Sequence, residues 1–340
     1  MKSNELINDL VTLEEVTTLV ESGKYMILAG DESLLDQVPK GNWIGGTIPY
    51  FMSPTGAIST KEKIFVTLLP PYLKNLNLIT YTVDTIKNVY NDAPENGLSF
   101  IIIPSSSEMH MTFAINGPEY ENFAVSPLFG WIAGFHLSEM ANAKAKVYNG
   151  NTGEKLDNHS VVIHGSLPPT KYAEINIINI FEQGKGDVIE VLEDGFSIKD
   201  ALVNGVKRNF YDYLMEIKHD VRFPLIANYL GVMLNISYQR FDEENKVVYF
   251  YAPVFKGMEY RNAENIKDYV TEYTKLMPEN DIDRISFSCN CILNYVHSEL
   301  DGKVTKGVTG PLTFGEIAYQ VINQTMVYLM ILDHEEDLEE

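Results

Sequence analysis

The only two tryptophans of this 340-residue chain lie in matching contexts, and this repetition limits the possible folds more than any other sequence feature. The first context reads Asn42-Trp43-Ile44-Gly45-Gly46 and the second reads Gly130-Trp131-Ile132-Ala133-Gly134. A β-rich run ending in Leu-Pro-Pro follows each, with its last proline 28 residues after the first tryptophan and 38 after the second. We interpret the pair as a degenerate internal repeat in the N-terminal half, with an insertion around 148–157 in the second copy. The alternative is a coincidence between two glycine turns.

The remaining chain mixes helical and strand patterns. Apolar residues at steps of three and four predict helices over 6–20, 73–89 and 202–217. Because the strands between them follow no strict βαβ alternation, we expect an α+β (mixed α/β) fold, with mixed or antiparallel sheets flanked by helices. The expected divisions are an N-terminal amphipathic helix at 1–22, two halves at 23–199 and 200–332, and an acidic tail at 333–340.

Charge limits the partners of the chain. Its 26 Lys and Arg residues stand against 47 Asp and Glu residues, giving a net charge of −21. Nucleic-acid binding depends on Lys and Arg clusters, so we expect neither nucleic acid nor an anionic membrane as a partner. The longest apolar run, 326–332, has seven residues, whereas roughly 20 are needed to span a bilayer. Two cysteines and no signal peptide favour a cytoplasmic location.

Strong catalytic motifs are missing from the sequence. The string closest to a phosphate-binding loop is Gly150-Asn151-Thr152-Gly153-Glu154-Lys155, which has the wrong spacing and no Ser or Thr after its lysine. The seven histidines are scattered, and no cysteine pair has zinc spacing. We therefore expect no metal and no cofactor, and the question of an enzymatic activity stays open.

Two segments could still contact a ligand. The loop Ser105-Ser106-Ser107 follows a predicted buried strand, a common place for ligand-contacting loops, although such serines also cap helices. The strand Ser286 to Cys291 contains Cys289 and Asn290. A reactive thiolate there would need a nearby histidine or helix N-terminus, and most cysteines in such strands are inert.

A third segment, Thr313-Phe314-Gly315-Glu316, has the pattern of a capping box at a helix start. In that arrangement Thr313 and Glu316 satisfy backbone amides and have a structural role. The preceding glycine turn also suits a pocket lining, so both interpretations stay open.

The ordered motifs of the C-terminal half resemble the FIST (F-box and intracellular signal transduction) sensory family. They are Phe223-Pro224-Leu225, a hairpin, a Lys-Gly-Met turn, a helix, Ser286-Phe287-Ser288-Cys289, Phe314-Gly315-Glu316 and Asn323-Gln324-Thr325-Met326. The glycine-rich segments near both tryptophans resemble the N-terminal part of that family. The resemblance covers roughly residues 24–332 and rests mainly on the order of short motifs.

One departure affects the expected ligand. The family pattern tends to read Cys-x-Gly-Arg where this chain has Cys289-Asn290-Cys291-Ile292, so an arginine suited to an anionic ligand is absent. The resemblance implies a sensory domain for small molecules, with amino acids as a proposed class, and output through kinase, chemotaxis or cyclase proteins.

Together these features predict a stand-alone cytoplasmic small-molecule-binding protein in signal transduction, with a separate output protein as its partner. The predicted ligand-binding residues are Ser106, Cys289, Asn290, Thr313, Glu316 and Asn323. One alternative is an enzyme with Cys289 as nucleophile. Another is a structural or assembly protein that acts through its acidic surface.

Overall fold

The computed structural model describes residues 8–140, 142–229, 232–277, 282–297, 301–305 and 307–334. The α-helices are α1 (Leu13–Glu21), α2 (Glu32–Leu35), α3 (Glu108–Asn116), α4 (Phe210–Glu216), α5 (Tyr269–Lys275) and α6 (Ile292–His297). The strands of the first half are β1 (Asn8–Val11), β2 (Met26–Gly30), β3 (Trp43–Thr47), β4 (Tyr50–Ser53), β5 (Gly56–Ser59), β6 (Ile64–Leu68), β7 (Lys74–Tyr81), β8 (Gly97–Pro104), β9 (Leu128–Ala133), β10 (Val147–Asn149), β11 (Glu154–Leu156), β12 (Ser160–Ser166) and β13 (Lys171–Ile178). The later strands are β14 (Ile189–Val191), β15 (Gly195–Ile198), β16 (Asp200–Val203), β17 (Val206–Asn209), β18 (Leu225–Tyr229), β19 (Val232–Ile236), β20 (Tyr238–Asp242), β21 (Val247–Val254), β22 (Glu259–Asn262), β23 (Ile285–Cys291), β24 (Gly310–Thr313), β25 (Glu316–Ala318), β26 (Gln320–Ile322) and β27 (Met326–Asp333).

The first four strands of two six-stranded sheets follow the same order, which confirms the internal repeat. The first sheet runs β1-β6-β2-β3-β10-β11 and the second runs β7-β12-β8-β9-β25-β26. In both, the second strand is antiparallel to its two neighbours, the third and fourth strands are parallel, and the fifth is antiparallel to the fourth. The two tryptophan strands, β3 and β9, occupy the same place in their sheets. The predicted insertion at 148–157 forms most of the β10–β11 hairpin.

The Leu-Pro-Pro segments end equivalent strands with the same turn. The amide of Leu73 donates to the carbonyl of Pro70, and the amide of Lys171 donates to that of Pro168. Proline has no amide hydrogen to continue a sheet ladder, so each strand stops here and the chain turns into the next one. The same local chemistry therefore produces the same chain reversal twice.

The described residues divide into two compact units. Unit 1 comprises those within Met1–Ile177, Met277–Val321 and Met326–Glu340, and unit 2 comprises Ile178–Leu276 and Ile322–Thr325. A third six-stranded sheet, β13-β27-β23-β24-β4-β5, belongs to unit 1. Unit 2 contains the sheet β17-β16-β14-β22-β18-β19 and the smaller sheet β15-β21-β20. These mixed and antiparallel sheets with few helices confirm the expected α+β class. The expected division into halves at 23–199 and 200–332 stays a prediction.

Each repeat copy packs its own apolar core. In the first copy, Trp43 and Tyr148 pack with α1 and α2 residues such as Val16 and Leu35. In the second, Phe113 of α3 packs against strand residues such as Ile101. Unit 2 has a separate aromatic-rich core.

The predicted helix over 6–20 is correct only from Leu13. A capping box fixes that start, because the Thr12 side chain accepts the amide of Glu15 and the Glu15 carboxylate accepts the amide of Thr12 at 2.8 Å. The preceding residues 8–11 form β1, which pairs with β6. Partner strands thus decide the structure of residues whose spacing also suits a helix.

The helices predicted over 73–89 and 202–217 were also wrong in part. Residues 74–81 form β7, which pairs with β12, and a 3-10 turn follows at 86–88. Residues 200–209 form the β16–β17 hairpin, and α4 begins only at Phe210, where the Asn209 side chain accepts the amide of Asp212. Pairing with neighbouring strands overrides the apolar spacing in both segments.

Two observations bear on the termini and the membrane. Among the described residues, no helix is both long enough and apolar enough to cross a membrane. Of the predicted acidic tail, Asp333 ends β27 and accepts two hydrogen bonds from Lys171 Nζ, at 2.7 and 2.8 Å. Residues 335–340 lie outside the described residues.

Candidate functional site

A cavity of about 100 Å³ opens beside Trp43 in unit 1. Helix α2, the start of β3 and the β10–β11 hairpin form its walls. Its lining residues are Leu35, Asp36, Val38, Lys40, Trp43, Tyr148, Asn149, Gly150, Gly153, Glu154 and Lys155. An apolar cavity of 150 Å³ can bind benzene, so this volume suits a ligand of a few heavy atoms.

Backbone contacts and a glycine hold Trp43 in position. Its indole Nε1 donates to the carbonyl of Pro39 at 2.9 Å, and Gly150 donates its amide to the carbonyl of Trp43 at 2.8 Å. A Cβ at Gly150 would lie 2.3 Å from the indole, so no larger residue fits there without displacing the ring. The ring of Tyr148 lies 6.2 Å from that of Trp43 at an interplanar angle of 32°. The two rings thus form an aromatic wall of the cavity.

A cluster of charged groups lies at the rim. Lys155 Nζ is 2.9 Å from a carboxylate oxygen of Glu32 and 2.9 Å from one of Asp36. The hydroxyl of Tyr148 donates to the other oxygen of Asp36 at 2.8 Å. This bridge links the hairpin to α2. Lys40, also on the rim, has no ion-pair or hydrogen-bond partner within the described part of the chain.

These contacts alter the acidity of the rim groups. Burial raises the pKa of Asp36, but hydrogen bonds from Lys155 and Tyr148 outweigh it and leave the pKa below its ordinary value. Hydrogen bonds to Asp36 and Glu32 raise the pKa of Lys155. Burial, followed by the hydrogen bond to Asp36, raises the pKa of Tyr148. At neutral pH the rim therefore presents the ionised carboxylate of Asp36 and the ammonium group of Lys155 next to the neutral phenol of Tyr148.

A family model matches residues 11–332 of the chain, that is, most of its length. The chain belongs to a family of unknown function, DUF6976. No curated protein matches it. The residues matched by the DUF6976 family model include those of the aromatic wall and the charged rim of the cavity.

Three of the predicted ligand-binding residues, Asn290, Thr313 and Glu316, contact one another in the interior of unit 1. The hydroxyl of Thr313 is 3.4 Å from the carbonyl oxygen of Asn290 and 3.3 Å from Oε1 of Glu316. All three side chains are buried. The adjacent cavity beside Cys289 and Asn290 measures about 10 Å³, which is roughly the space of one water molecule. Ligand contacts at these residues stay a prediction.

The capping-box interpretation of Thr313 and Glu316, one of the two that the sequence left open, is wrong. Thr313 ends β24 and Glu316 begins β25, whose residues pair with β9 so that Glu316 lies opposite Trp131. The two side chains do meet, but within an extended segment of the interior and not at a helix start. Sheet pairing on both sides decides this outcome.

Cys289 lies in β23 with its thiol enclosed. Its Sγ contacts the carbonyl of Gly130 at 3.5 Å, and its side chain is 1% exposed. Burial raises the pKa of this thiol well above its ordinary value, and the nearby Glu316 and Cys291 raise it further. A nucleophilic cysteine needs a lowered pKa and access to solvent, so these properties do not favour catalysis by Cys289.

The structure does not bring Ser106 and Asn323 into this cluster. Ser106 is exposed with φ 57°, and it precedes α3, whose N-cap is Ser107. Asn323 belongs to unit 2, where its Oδ1 accepts the hydroxyl of Ser237 at 2.7 Å.

The sequence predictions missed the cavity residues Asp36, Lys40, Tyr148 and Lys155. Two signals were visible, since one tryptophan of the repeat lines the cavity and the 148–157 insertion supplies the opposite wall. The acidic and basic rim residues are far apart in sequence and have no motif spacing, so only their assembly in the sheet reveals them.

Proposed function

We propose that this chain is a small-molecule-binding sensory protein related to the FIST family, with its ligand in the Trp43–Tyr148 cavity. The observation that carries the proposal is the cavity itself, a space of about 100 Å³ with an aromatic wall and ionised groups of both signs at its rim. Binding sites for small molecules combine apolar walls with a few placed polar groups in this way.

The signalling role comes from the resemblance to the FIST family. That resemblance implies a ligand of amino-acid type and a separate signalling protein that receives the output. The carboxylates at the rim suit the ammonium group that an amino acid shares with other amines. We also propose a cytoplasmic location.

A thermal-shift screen against amino acids and common metabolites tests the proposal. A ligand at about 100 times its dissociation constant should stabilise the protein by about 2.7 kcal/mol. We expect at least one compound of the panel to raise the unfolding temperature in a concentration-dependent manner. A panel without any such compound contradicts the proposal.

Glycine substitutions locate the binding site. Gly150→Ala places a methyl group against the indole of Trp43, and we expect it to abolish the ligand-dependent shift. Gly186→Ala is the matched control, because a Cβ there meets nothing within 4 Å. A shift that survives Gly150→Ala would place the ligand elsewhere.

The alternative of a Cys289-dependent enzyme has its own test. Titration of the native protein with a thiol reagent should leave Cys289 unreacted until the protein unfolds, because the thiol is enclosed. Rapid modification at neutral pH would instead favour that alternative.

A further inference from the structure

Resting on the proposed function, we propose that the Trp43–Tyr148 cavity binds a small organic amine as its ammonium ion. The cavity walls, the charges at the rim and the position of one lysine of the chain point to this class of ligand.

Lys155 already places an alkylammonium group at the rim. Its Nζ lies between the carboxylates of Glu32 and Asp36, 2.9 Å from each. The site is therefore complementary to a primary ammonium group on an aliphatic chain, and a ligand ammonium can make the same contacts.

The balance of charge favours a cation over an anion. Two carboxylates, from Asp36 and Glu154, and two ammonium groups, from Lys40 and Lys155, line the cavity, and Glu32 adds a third carboxylate through its ion pair with Lys155 at the rim. The whole chain has a net charge of −21, so its general field also attracts cations.

The aromatic wall favours the same class of ligand. Cations are attracted to the faces of tryptophan and tyrosine rings, and most strongly to tryptophan. Trp43 and Tyr148 are both buried and both line the cavity, so a ligand there contacts aromatic rings that are largely shielded from solvent. The aliphatic part of an amine would lie against Leu35 and Val38.

Fluorescence of Trp43 provides a direct readout. In a Trp131→Phe variant, Trp43 is the only tryptophan of the chain. We would titrate this variant with butylammonium, butyrate, 1-butanol and 4-aminobutyrate at pH 7 and constant ionic strength. Calorimetric titration of the unaltered chain provides the same comparison if Trp131→Phe impairs folding.

We expect butylammonium to change the Trp43 emission saturably and to bind more tightly than the other three compounds. Asp36→Asn should weaken butylammonium binding about five-fold, the upper range for a partly exposed ion pair. Lys40→Met should strengthen it, because an unpaired positive charge is removed from the rim. Asp212→Asn in unit 2, which removes a carboxylate paired with Lys246, is the matched control and should have no effect.

Two results would overturn the inference, and they are distinguishable. Tighter binding of butyrate or 4-aminobutyrate, weakened by Lys40→Met, would overturn the amine class and leave a small-molecule site in place. No binding by any of the four compounds, together with a negative thermal-shift panel, would overturn the proposed function as well.

Discussion

The two tryptophans of the repeat occupy equivalent strands in sheets whose first four strands follow the same order, yet their surroundings differ. Trp43 faces the glycine of the β10–β11 hairpin, borders an open cavity and has its indole nitrogen hydrogen-bonded to Pro39. Trp131 lies opposite Glu316 of β25 and stacks on Phe287 at a ring distance of 5.6 Å. The fifth strand contributes to the difference, because Gly150 of the hairpin has no side chain against Trp43, whereas β25 places Glu316 opposite Trp131.

A second difference concerns polar groups inside the sheets. Aligned on the Leu-Pro-Pro segments, Val66 of β6 corresponds to His164 of β12. His164 Nδ1 is 2.7 Å from the hydroxyl of Ser99, and its Nε2 is 2.9 Å from that of Tyr81. Tyr81 in turn donates to the carboxylate of Asp92 at 2.8 Å. The second copy thus contains a buried hydrogen-bond chain at a position where the first copy is apolar.

The largest effect is expected from truncating the enclosed tryptophan. Trp131→Ala should lower the free energy of unfolding by about 4 kcal/mol, because it removes a fully buried aromatic side chain and leaves a cavity in its place. Trp43→Ala should cost at least about 1 kcal/mol less, because one side of its ring already borders a cavity. Urea unfolding of both variants measures the difference. Equal losses would mean that the two sites are packed alike.

A glycine substitution next to each tryptophan sharpens the same comparison. A Cβ at Gly130 would lie 1.8 Å from the carbonyl oxygen of Ile101, which is backbone, so Gly130→Ala should cost about 3 kcal/mol. The three heavy atoms nearest to a Cβ at Gly150 all belong to the side chain of Trp43, which can shift more readily than backbone, so Gly150→Ala should cost about 1 kcal/mol. Thermal unfolding distinguishes the two. The reverse order of stabilities would contradict the difference in packing.

The buried histidine of the second copy should make stability depend on pH. Burial lowers the pKa of His164 to about 4, although Asp92 opposes this effect, whereas the unfolded value is 6.5. Between these values the unfolded chain binds more protons than the folded one, so stability falls as the pH falls from 6.5 towards 4. His164 should account for a loss of about 2 kcal/mol between pH 7 and pH 5.

A variant and a control make this pH prediction specific. Burial also lowers the pKa of His110 to about 4, so part of the loss should persist in His164→Gln. Denaturant titrations at both pH values should show a smaller difference in His164→Gln than in the unaltered chain. Identical differences would rule out a contribution from His164.

The smallest effect is expected at the rim of the Trp43 cavity. Lys155→Met removes two ion pairs whose side chains are about two-fifths exposed, so it should cost less than about 1 kcal/mol, and the loss should shrink with added salt. Denaturant titration at low and high ionic strength measures it. A larger, salt-independent loss would show that the bridge supports the fold and not only the cavity.

Several features of the fold could be predicted from local sequence. The repeated tryptophan contexts and Leu-Pro-Pro turns correctly indicated two copies of one unit, because glycine and proline restrict the backbone in the same way wherever they occur. Helix spacing was a weaker guide. The apolar residues of 73–89 have the spacing of a helix, but residues 74–81 form β7 because they pair with β12.

The candidate site was less accessible to sequence reasoning. Thr313, Glu316 and Asn290, three of the predicted ligand-binding residues, contact one another, and their side chains are buried. The cavity at Trp43 depends on Asp36 and Lys155, which are far apart in sequence and meet only across the sheet.

The sequence by itself determined the internal repeat, the α+β class and the acidic surface, because composition and backbone restrictions act locally. Only the tertiary structure decided which tryptophan borders a cavity and which is enclosed. That choice depends on which distant segment adds the fifth strand to each sheet, namely the Tyr148 hairpin in one and the Glu316 strand in the other. Strand pairing over such separations is set by the packing of the whole unit, and no local pattern specifies it.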